Sequence, residues 1–263
     1  MILTSEQKQF FDDNGYLWFK QFYTTAFTRT LQSWFGEVEQ WAETPGKWMK
    51  YFEPSPLNKE ERMLCRVENF IPYHDGFRAL LMDVKLIGIV SELMEEPAIL
   101  FKEKINFKLP GGGAYKAHQD APAFVSFKQT YHMTIMIGAD PTTSKNGCLE
   151  LVKAQHKKGT LKQSTDGTIH PEIIESLRWE ALPTEPGDVL MFDSYVPHRS
   201  GPNLTSAPRR ALYVTYNKLS EGDYRESYYQ EKRKVFPPEC ERESGKDYSK
   251  GAGVYNLGNP IRV

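Results

Sequence analysis

The chain has 263 residues, and its 33 basic side chains nearly balance 34 acidic ones, for a formal net charge of −1 at pH 7. This length suits one β-barrel or β-sandwich domain with helical additions. The balanced charge excludes a global field that would attract nucleic acid or an anionic membrane. No apolar run reaches the ~18 residues of a membrane span.

The N-terminal residues and the cysteines predict a cytoplasmic protein. The first residues, MILTSEQKQFFDDNGYL, lack the basic segment and apolar stretch of a secretory signal. Cys65, Cys148 and Cys240 are odd in number and far apart, which argues against a disulfide framework and fits a reducing compartment. The oligomeric state is left open.

The first part of the chain predicts helices. Residues 1–50 carry a capping signal at Thr4, a break at Asn14-Gly15 and a second helical pattern from about Thr24 to Glu43. A polar, proline-bearing loop is predicted for residues 52–62. The segment MLCRVENFI is then a short strand candidate, and Phe77 to Met94 predicts one helix or a pair.

From residue 98 the pattern changes to short strands separated by turns. Apolar, β-prone runs at 99–101, 104–107, 133–137, 189–193 and 209–216 alternate with glycine- and proline-bearing turns. A charged helix is predicted for residues 223–235, and an irregular tail follows residue 237. The whole predicts one mainly β domain with a helical flank. Its predicted parts are a mostly helical segment (1–97), a β core (98–217), and a helix with an irregular tail (218–263).

The most informative motif is His118-Gln119-Asp120, together with His198 and Arg209 further along the chain. Two imidazoles and one carboxylate bind one face of a ferrous ion and leave positions open for oxygen and a co-substrate. On a strand, the two-residue spacing places His118 and Asp120 on the same face. His198 must then come from a second strand, and Asp193 is an alternative carboxylate ligand.

Arg209 opens the strand after His198, and we expect this strand to return antiparallel beside the His198 strand. A guanidinium group grips a carboxylate with two parallel hydrogen bonds, which suits a 2-oxo acid. Alternation along the strand puts Arg209, Ala211, Tyr213 and Thr215 on one face.

These motifs resemble a known family. The segments HQD, NGCLELVKAQH, PGDVLMFDSYVPHRSGPN and PRRALYVTYN, with the opening FFDDNGYL, are similar to those of the phytanoyl-CoA dioxygenase (PhyH) family. The resemblance covers about residues 5 to 217. It implies a double-stranded β-helix, also called a jelly roll, that uses Fe(II), 2-oxoglutarate and O2.

The resemblance also implies residue roles. His118, Asp120 and His198 would ligate iron, while Arg209 and Ser200 would hold the distal carboxylate of 2-oxoglutarate. Further contacts to the co-substrate or its pocket are implied for Gln119, Arg66 and Lys104. Met136 departs from the family, whose members often place a tryptophan there.

The implied reaction oxidises a C–H bond of a small molecule while 2-oxoglutarate is converted to succinate and CO2. Hydroxylation is the expected outcome, although desaturation, epimerisation and cyclisation stay open. Basic residues that could receive an anionic substrate are Arg66, Lys104, Lys108 and Lys116. The substrate would be a small polar compound such as 2-aminoethylphosphonate or a natural-product intermediate. Two alternatives remain, namely a cupin-like metalloenzyme that does not use 2-oxoglutarate and a non-catalytic jelly-roll binding protein.

Overall fold

The computed structural model describes residues 2–56, 58, 60–256 and 258–261. Within these residues, seven α-helices and eleven β-strands are present. The helices are α1 (Ser5–Asn14), α2 (Thr25–Gln40), α3 (Asp75–Leu81), α4 (Val84–Met94), α5 (Pro171–Ser176), α6 (Arg225–Val235) and α7 (Ser249–Tyr255). The strands are β1 (Tyr16–Phe19), β2 (Met49–Pro54), β3 (Arg62–Glu68), β4 (Ala98–Lys108), β5 (Tyr115–His118), β6 (His132–Gly138), β7 (Leu149–Leu151), β8 (Glu180–Leu182), β9 (Val189–Asp193), β10 (His198–Ser200) and β11 (Arg209–Lys218).

The strands form two antiparallel sheets. The larger sheet has seven strands in the order β1-β9-β6-β11-β4-β3-β2, and the smaller has four in the order β5-β10-β7-β8. Side chains from both sheets share one apolar cluster, so the sheets pack face to face as in a jelly roll. The predicted fold class, mainly β with a helical flank, is confirmed.

Alternation along the strands of the larger sheet separates two cores. On β11, Leu212 and Val214 pack with α2, α3 and α4 on the outer face, whereas Ala211 and Tyr213 pack against the smaller sheet on the inner face. The predicted two faces of this strand are therefore confirmed. A third cluster covers the far end of the sheet and is built by β2, β3 and β4 with α6 and α7.

The N-terminal helices follow the sequence only in part. The capping box at Thr4 forms, and α1 ends at Gly15 in the left-handed conformation with φ 80°. The expectation of helix through residue 50 is wrong at Tyr16–Phe19, because this aromatic run pairs with β9 and adds an edge strand to the larger sheet.

Other differences arise from pairing partners that lie far away in sequence. Met49–Pro54 forms a strand because β3 pairs with it, although a loop was expected from residue 52. The tail after residue 237 contains α7, which packs on the third cluster, where an irregular segment was expected. Three strands thus precede residue 98, and the division of the chain into three parts of one domain stays a prediction. Among the described helices, none has the length and apolar character needed to span a bilayer.

Candidate active site

His118, Asp120 and His198 lie together between the two sheets. Antiparallel pairing of β5 with β10 sets His198 directly opposite His118. One ligand atom from each of the three residues lies within 4.8 Å of the others. The Oδ1 atom of Asp120 is 3.8 Å from Nε2 of His118 and 3.9 Å from Nε2 of His198. One ion at the centre of this group could therefore reach all three ligands.

The geometry at Asp120 differs from the expectation. β5 ends at His118, and Asp120 has helical backbone angles, φ −74° and ψ −37°, at the start of a 3-10 turn. The carboxylate reaches the histidines because the chain turns back, and not because the two side chains share a strand face. Asp193, the alternative ligand, lies outside this group and accepts a hydrogen bond from the Tyr195 backbone N–H at 2.7 Å.

Hydrogen bonds orient each ligand for a metal ion. The Nδ1 atoms of His118 and His198 contact the carbonyl oxygens of Lys116 and Val196 at 2.7 and 3.0 Å. A proton on Nδ1 leaves the lone pair of Nε2 free to ligate. The Oγ1 atom of Thr134 donates to Oδ2 of Asp120 at 3.0 Å, which leaves Oδ1 facing the imidazoles.

The electrostatics also suit a cation. Burial, followed by the charge of His198, lowers the pKa of His118 to about 3, and burial lowers the pKa of His198. Both imidazoles are therefore neutral at pH 7, as metal ligation requires. The donor set of two neutral imidazoles and one carboxylate, all buried, fits a ferrous ion with open coordination positions.

Arg209 approaches the site from the opposite sheet. Its strand, β11, pairs with β4 and β6 in the larger sheet, so the expectation that it lies beside β10 is wrong. The guanidinium group is 1% exposed and donates from Nη2 to the carbonyl of Gly147 at 2.5 Å. Its buried Nε has no hydrogen-bond partner in the described structure. An unpaired buried donor is costly, so a carboxylate from a ligand would complete the arrangement.

A cavity between the two sheets adjoins the triad. We call it the inter-sheet cavity. Ser200 lines it, and the Oγ of Ser200 accepts a hydrogen bond from Nζ of Lys108 at 2.8 Å. Met136, at the family's tryptophan position, is buried among the inter-sheet apolar side chains. Besides the triad and Ser200, the cavity is lined by Lys104, Asn106, Tyr115, Leu149, Arg199 and Tyr213.

The other residues implied by the resemblance differ in their placement. Arg66 is buried and donates to Asn106 and Glu68 at 3.2 Å each, on the wall of a second cavity. Lys104 lines both cavities. The side-chain amide of Gln119 donates to the carbonyls of Gly159 and Tyr195 and accepts a hydrogen bond from the backbone N–H of Leu161. It therefore connects the loop at residues 159–161 with the loop at Tyr195.

The contacts of Gln119, Arg66 and Lys104 with a cofactor stay predictions. Lys116 points away from both cavities and pairs with Asp166 at 3.1 Å.

The second cavity also adjoins the triad and is lined by His118 and Asp120. We call it the basic cavity. Sequence reasoning missed most of its wall. Lys102 could have been found, because it shares the inner face of β4 with Lys104, Asn106 and Lys108 at a period of two. No local signal marks the members contributed by the C-terminal region, which are Tyr228, Lys232, Val254, Tyr255 and Asn259.

Known proteins resemble this chain over most of its length. Residues 11–211 match the family described as phytanoyl-CoA dioxygenase (PhyH). A 2-aminoethylphosphonate dioxygenase from an uncultured bacterium (HF130_AEPn_1) is 50% identical over 259 residues, which cover 98% of each chain. A methylphosphonate hydroxylase from Gimesia maris is 44% identical, with 89% of this chain and 88% of that protein covered.

The structural comparison agrees with the sequence comparison. The crystal structure of EctD from S. alaskensis with 2-oxoglutarate and 5-hydroxyectoine matches 84% of this chain and 78% of that chain, with a TM-score of 0.71 at 18% identity. The fold is therefore the expected one. Neither a cupin-like enzyme without 2-oxoglutarate nor a non-catalytic binding protein accounts for these relatives. The chain belongs to the phytanoyl-CoA dioxygenase (PhyH) family and is a dioxygenase that depends on Fe(II) and 2-oxoglutarate.

Proposed function

We propose that this enzyme hydroxylates a C–H bond of a small phosphonate, and that 2-aminoethylphosphonate or a close analogue is its substrate. The observation that carries the proposal is the charge of the basic cavity. Arg66, Lys102, Lys104 and Lys232 all line it, whereas among the described residues Glu68 is the single carboxylate there besides Asp120 of the triad. A dianionic group beside the metal would balance this excess of positive charge.

Two of the four cations have no carboxylate within ion-pair distance among the described residues. Lys102 lies 4.5 Å from the ring centre of Phe124, and Lys104 lies 5.6 Å from that of Tyr213. Burial lowers the pKa of both lysines, because it penalises their charged form. A bound dianion would restore that charge, and the desolvated surroundings would strengthen the attraction.

Glu68 favours an amine-bearing phosphonate over methylphosphonate. Its Oε2 atom accepts from Nζ of Lys232 at 2.6 Å, and Oε1 accepts from Arg66 at 3.2 Å. The charges of Lys232, Arg66 and Lys102 together outweigh the effect of burial and lower the pKa of Glu68 to about 2. The ionised carboxylate on the cavity wall could also receive a substrate ammonium group. The 50% identical relative named for 2-aminoethylphosphonate supports the same choice.

The roles of the chain's own residues follow from this placement. His118, Asp120 and His198 would hold iron, which with 2-oxoglutarate and O2 supplies the oxidising power that breaks a C–H bond. Arg209 and Ser200 would anchor the distal carboxylate of the co-substrate in the inter-sheet cavity. The cations of the basic cavity would hold the phosphonate beside His118 and Asp120, and α6 and α7 would keep bulk water out. The enzyme would thus contribute position and shielding to the reaction.

The test is succinate formation by the Fe(II)-loaded enzyme with a matched pair of compounds. 2-Aminoethylphosphonate and 2-aminoethylsulfonate have nearly the same shape, but the sulfonate carries a single negative charge. We expect turnover with the phosphonate and little with the sulfonate. Equal turnover of the two, or activity confined to an uncharged compound, would refute the proposal.

Lys104→Met provides the matching variant. Loss of one hydrogen bond or ion contact to a charged group is worth about 1.5–3 kcal/mol, so KM for the phosphonate should rise by roughly 10- to 150-fold. Lys153→Met is the control, because Lys153 is exposed, pairs with Glu180 at 2.6 Å and lines neither cavity. Equal effects of the two substitutions would remove Lys104 from substrate binding.

A further inference from the structure

Lys108 is a buried cation that none of the roles above explains. It ends β4 and is the cross-strand partner of Arg209 on β11, and both side chains are 1% exposed. The two basic residues therefore lie on neighbouring strands, the charge of Arg209 acts on Lys108, and Ser200 of the smaller sheet contacts the Lys108 ammonium group. Burying one cation is costly, and burying two together is more so unless an anion joins them.

The hydrogen bonds of Lys108 leave one donor of its ammonium group available for such an anion. Its Nζ donates to Oγ of Ser200 at 2.8 Å and to the carbonyl of Gly201. An ammonium group has three donors, so one is left over. Within the described residues, no carboxylate lies at ion-pair distance from it. Glu53 on β2 acts on it only over a longer distance and accepts from the backbone of Gly113 at 2.9 Å.

We infer that Lys108 is a second cationic ligand for the distal carboxylate of 2-oxoglutarate, shared with Arg209 and Ser200. A carboxylate has two oxygens with about four acceptor positions. The guanidinium group of Arg209 can donate to two of these acceptor positions. Nζ of Lys108 and Oγ of Ser200, which lie 2.8 Å apart, can donate to the other two. The inference rests on the use of 2-oxoglutarate and is independent of the proposed phosphonate substrate.

In this arrangement, binding of 2-oxoglutarate is coupled to protonation of Lys108. Burial, followed by the charge of Arg209, lowers the pKa of Lys108 to about 6, while Glu53 and Cys148 act in the opposite direction. The ring of Tyr115 on β5 lies 5.0 Å from Nζ and adds no charge while its hydroxyl is protonated. At pH 8 the empty site therefore holds Lys108 mostly neutral. An arriving carboxylate favours the ammonium form, so binding takes up a proton.

Anaerobic calorimetric titration of the Fe(II)-loaded full-length protein with 2-oxoglutarate tests the inference without turnover. Titration at pH 8 in two buffers of different ionisation enthalpy measures the protons taken up. Wild type should take up a large fraction of one proton, and Lys108→Met should take up none. The affinity of Lys108→Met for 2-oxoglutarate should fall by roughly 10- to 150-fold, as for loss of a charged hydrogen-bond partner.

Pyruvate separates a ligand role from a structural one, because it chelates a metal in the same way but lacks the distal carboxylate. Lys108→Met should leave pyruvate affinity unchanged, and Lys108→Arg should keep most of the affinity for 2-oxoglutarate without proton uptake. Lys153→Met, at an exposed lysine that pairs with Glu180 and lines neither cavity, should match wild type in every titration. No proton uptake by wild type, an unchanged affinity in Lys108→Met, or an equal loss for 2-oxoglutarate and pyruvate would each overturn the inference.

Discussion

The hydrogen bond from Thr134 to Asp120 should control how tightly the triad holds iron. Thr134 is buried on β6, and its Oγ1 donates to Oδ2 of Asp120 at 3.0 Å, so that Oδ1 is turned towards His118 and His198. Thr134→Val removes this hydroxyl with nearly the same shape and suits a strand. The carboxylate then loses the partner that fixes its orientation.

The expected size of the effect follows from the bond that is removed. A hydrogen bond to a charged group is worth about 1.5–3 kcal/mol, which corresponds to roughly 10- to 150-fold in affinity. Loss of groups that orient metal ligands typically weakens metal binding by about 10- to 100-fold. We therefore expect Fe(II) affinity to fall by about 10- to 100-fold in Thr134→Val.

Anaerobic competition between the metal-free protein and a coloured Fe(II) chelator measures this affinity. Thr215→Val is the matched control, since Thr215 contacts Thr134 at 3.4 Å on the paired strand but does not touch Asp120. It should change the affinity by less than about threefold. An Fe(II) affinity of Thr134→Val within twofold of wild type, with an unaltered thermal unfolding curve, would refute this account of how Asp120 is oriented.

Three further outcomes are expected. Arg209→Ala should keep Fe(II) but lose about 30-fold or more in 2-oxoglutarate affinity, as for truncating one partner of a buried charge pair; an unchanged anaerobic titration would exclude the guanidinium from that role. The pKa of His118 and of His132 is lowered to about 3, chiefly by burial. The unfolded chain therefore binds more protons below pH ~6.5, and unfolding of the metal-free protein should become easier by roughly 2 kcal/mol per histidine between pH 7 and 5. Denaturant titrations at the two pH values check this, and equal stability would contradict it. Gly147→Ala should lower both the free energy of unfolding and the affinity for 2-oxoglutarate. The φ of Gly147 is 76°, and a Cβ there would stand 2.1 Å from a backbone oxygen. The resulting shift would also move the Gly147 carbonyl, which accepts a hydrogen bond from Arg209. Gly46→Ala, with φ 82° and open space around it, should show only the backbone strain of about 1 kcal/mol in thermal unfolding, and similar losses in both variants would show that the close approach is unimportant.

The reacting groups could be predicted from the sequence because each carries its chemistry in its own side chain. The motif HQD, the distant His198 and Arg209 point to a ferrous ion and a 2-oxo acid through ligand type and order alone. Alternation with a period of two likewise predicted the two faces of β11, since side-chain direction along a strand is a local property.

The spatial relations among these groups could not be predicted in the same way. Which strand lies beside which depends on pairing between distant segments, so Arg209 was expected next to β10 and in fact reaches the site from the opposite sheet. The same cause explains the missed strand at Tyr16–Phe19, whose partner β9 lies more than 150 residues away in the sequence.

The composition of the basic cavity depends on tertiary structure, because its wall comes from segments that lie far apart in the sequence. Lys102 and Glu68 lie on strands, whereas Lys232 and Tyr255 come from C-terminal helices whose local sequence reads as charged or irregular. These side chains become one site only when α6 and α7 pack across the end of the larger sheet. The sequence by itself therefore determined the metal, the co-substrate and the class of reaction, because these depend on the identity of a few side chains. The tertiary structure decided the shape and charge of the basic cavity, because these depend on packing between segments that no local pattern connects.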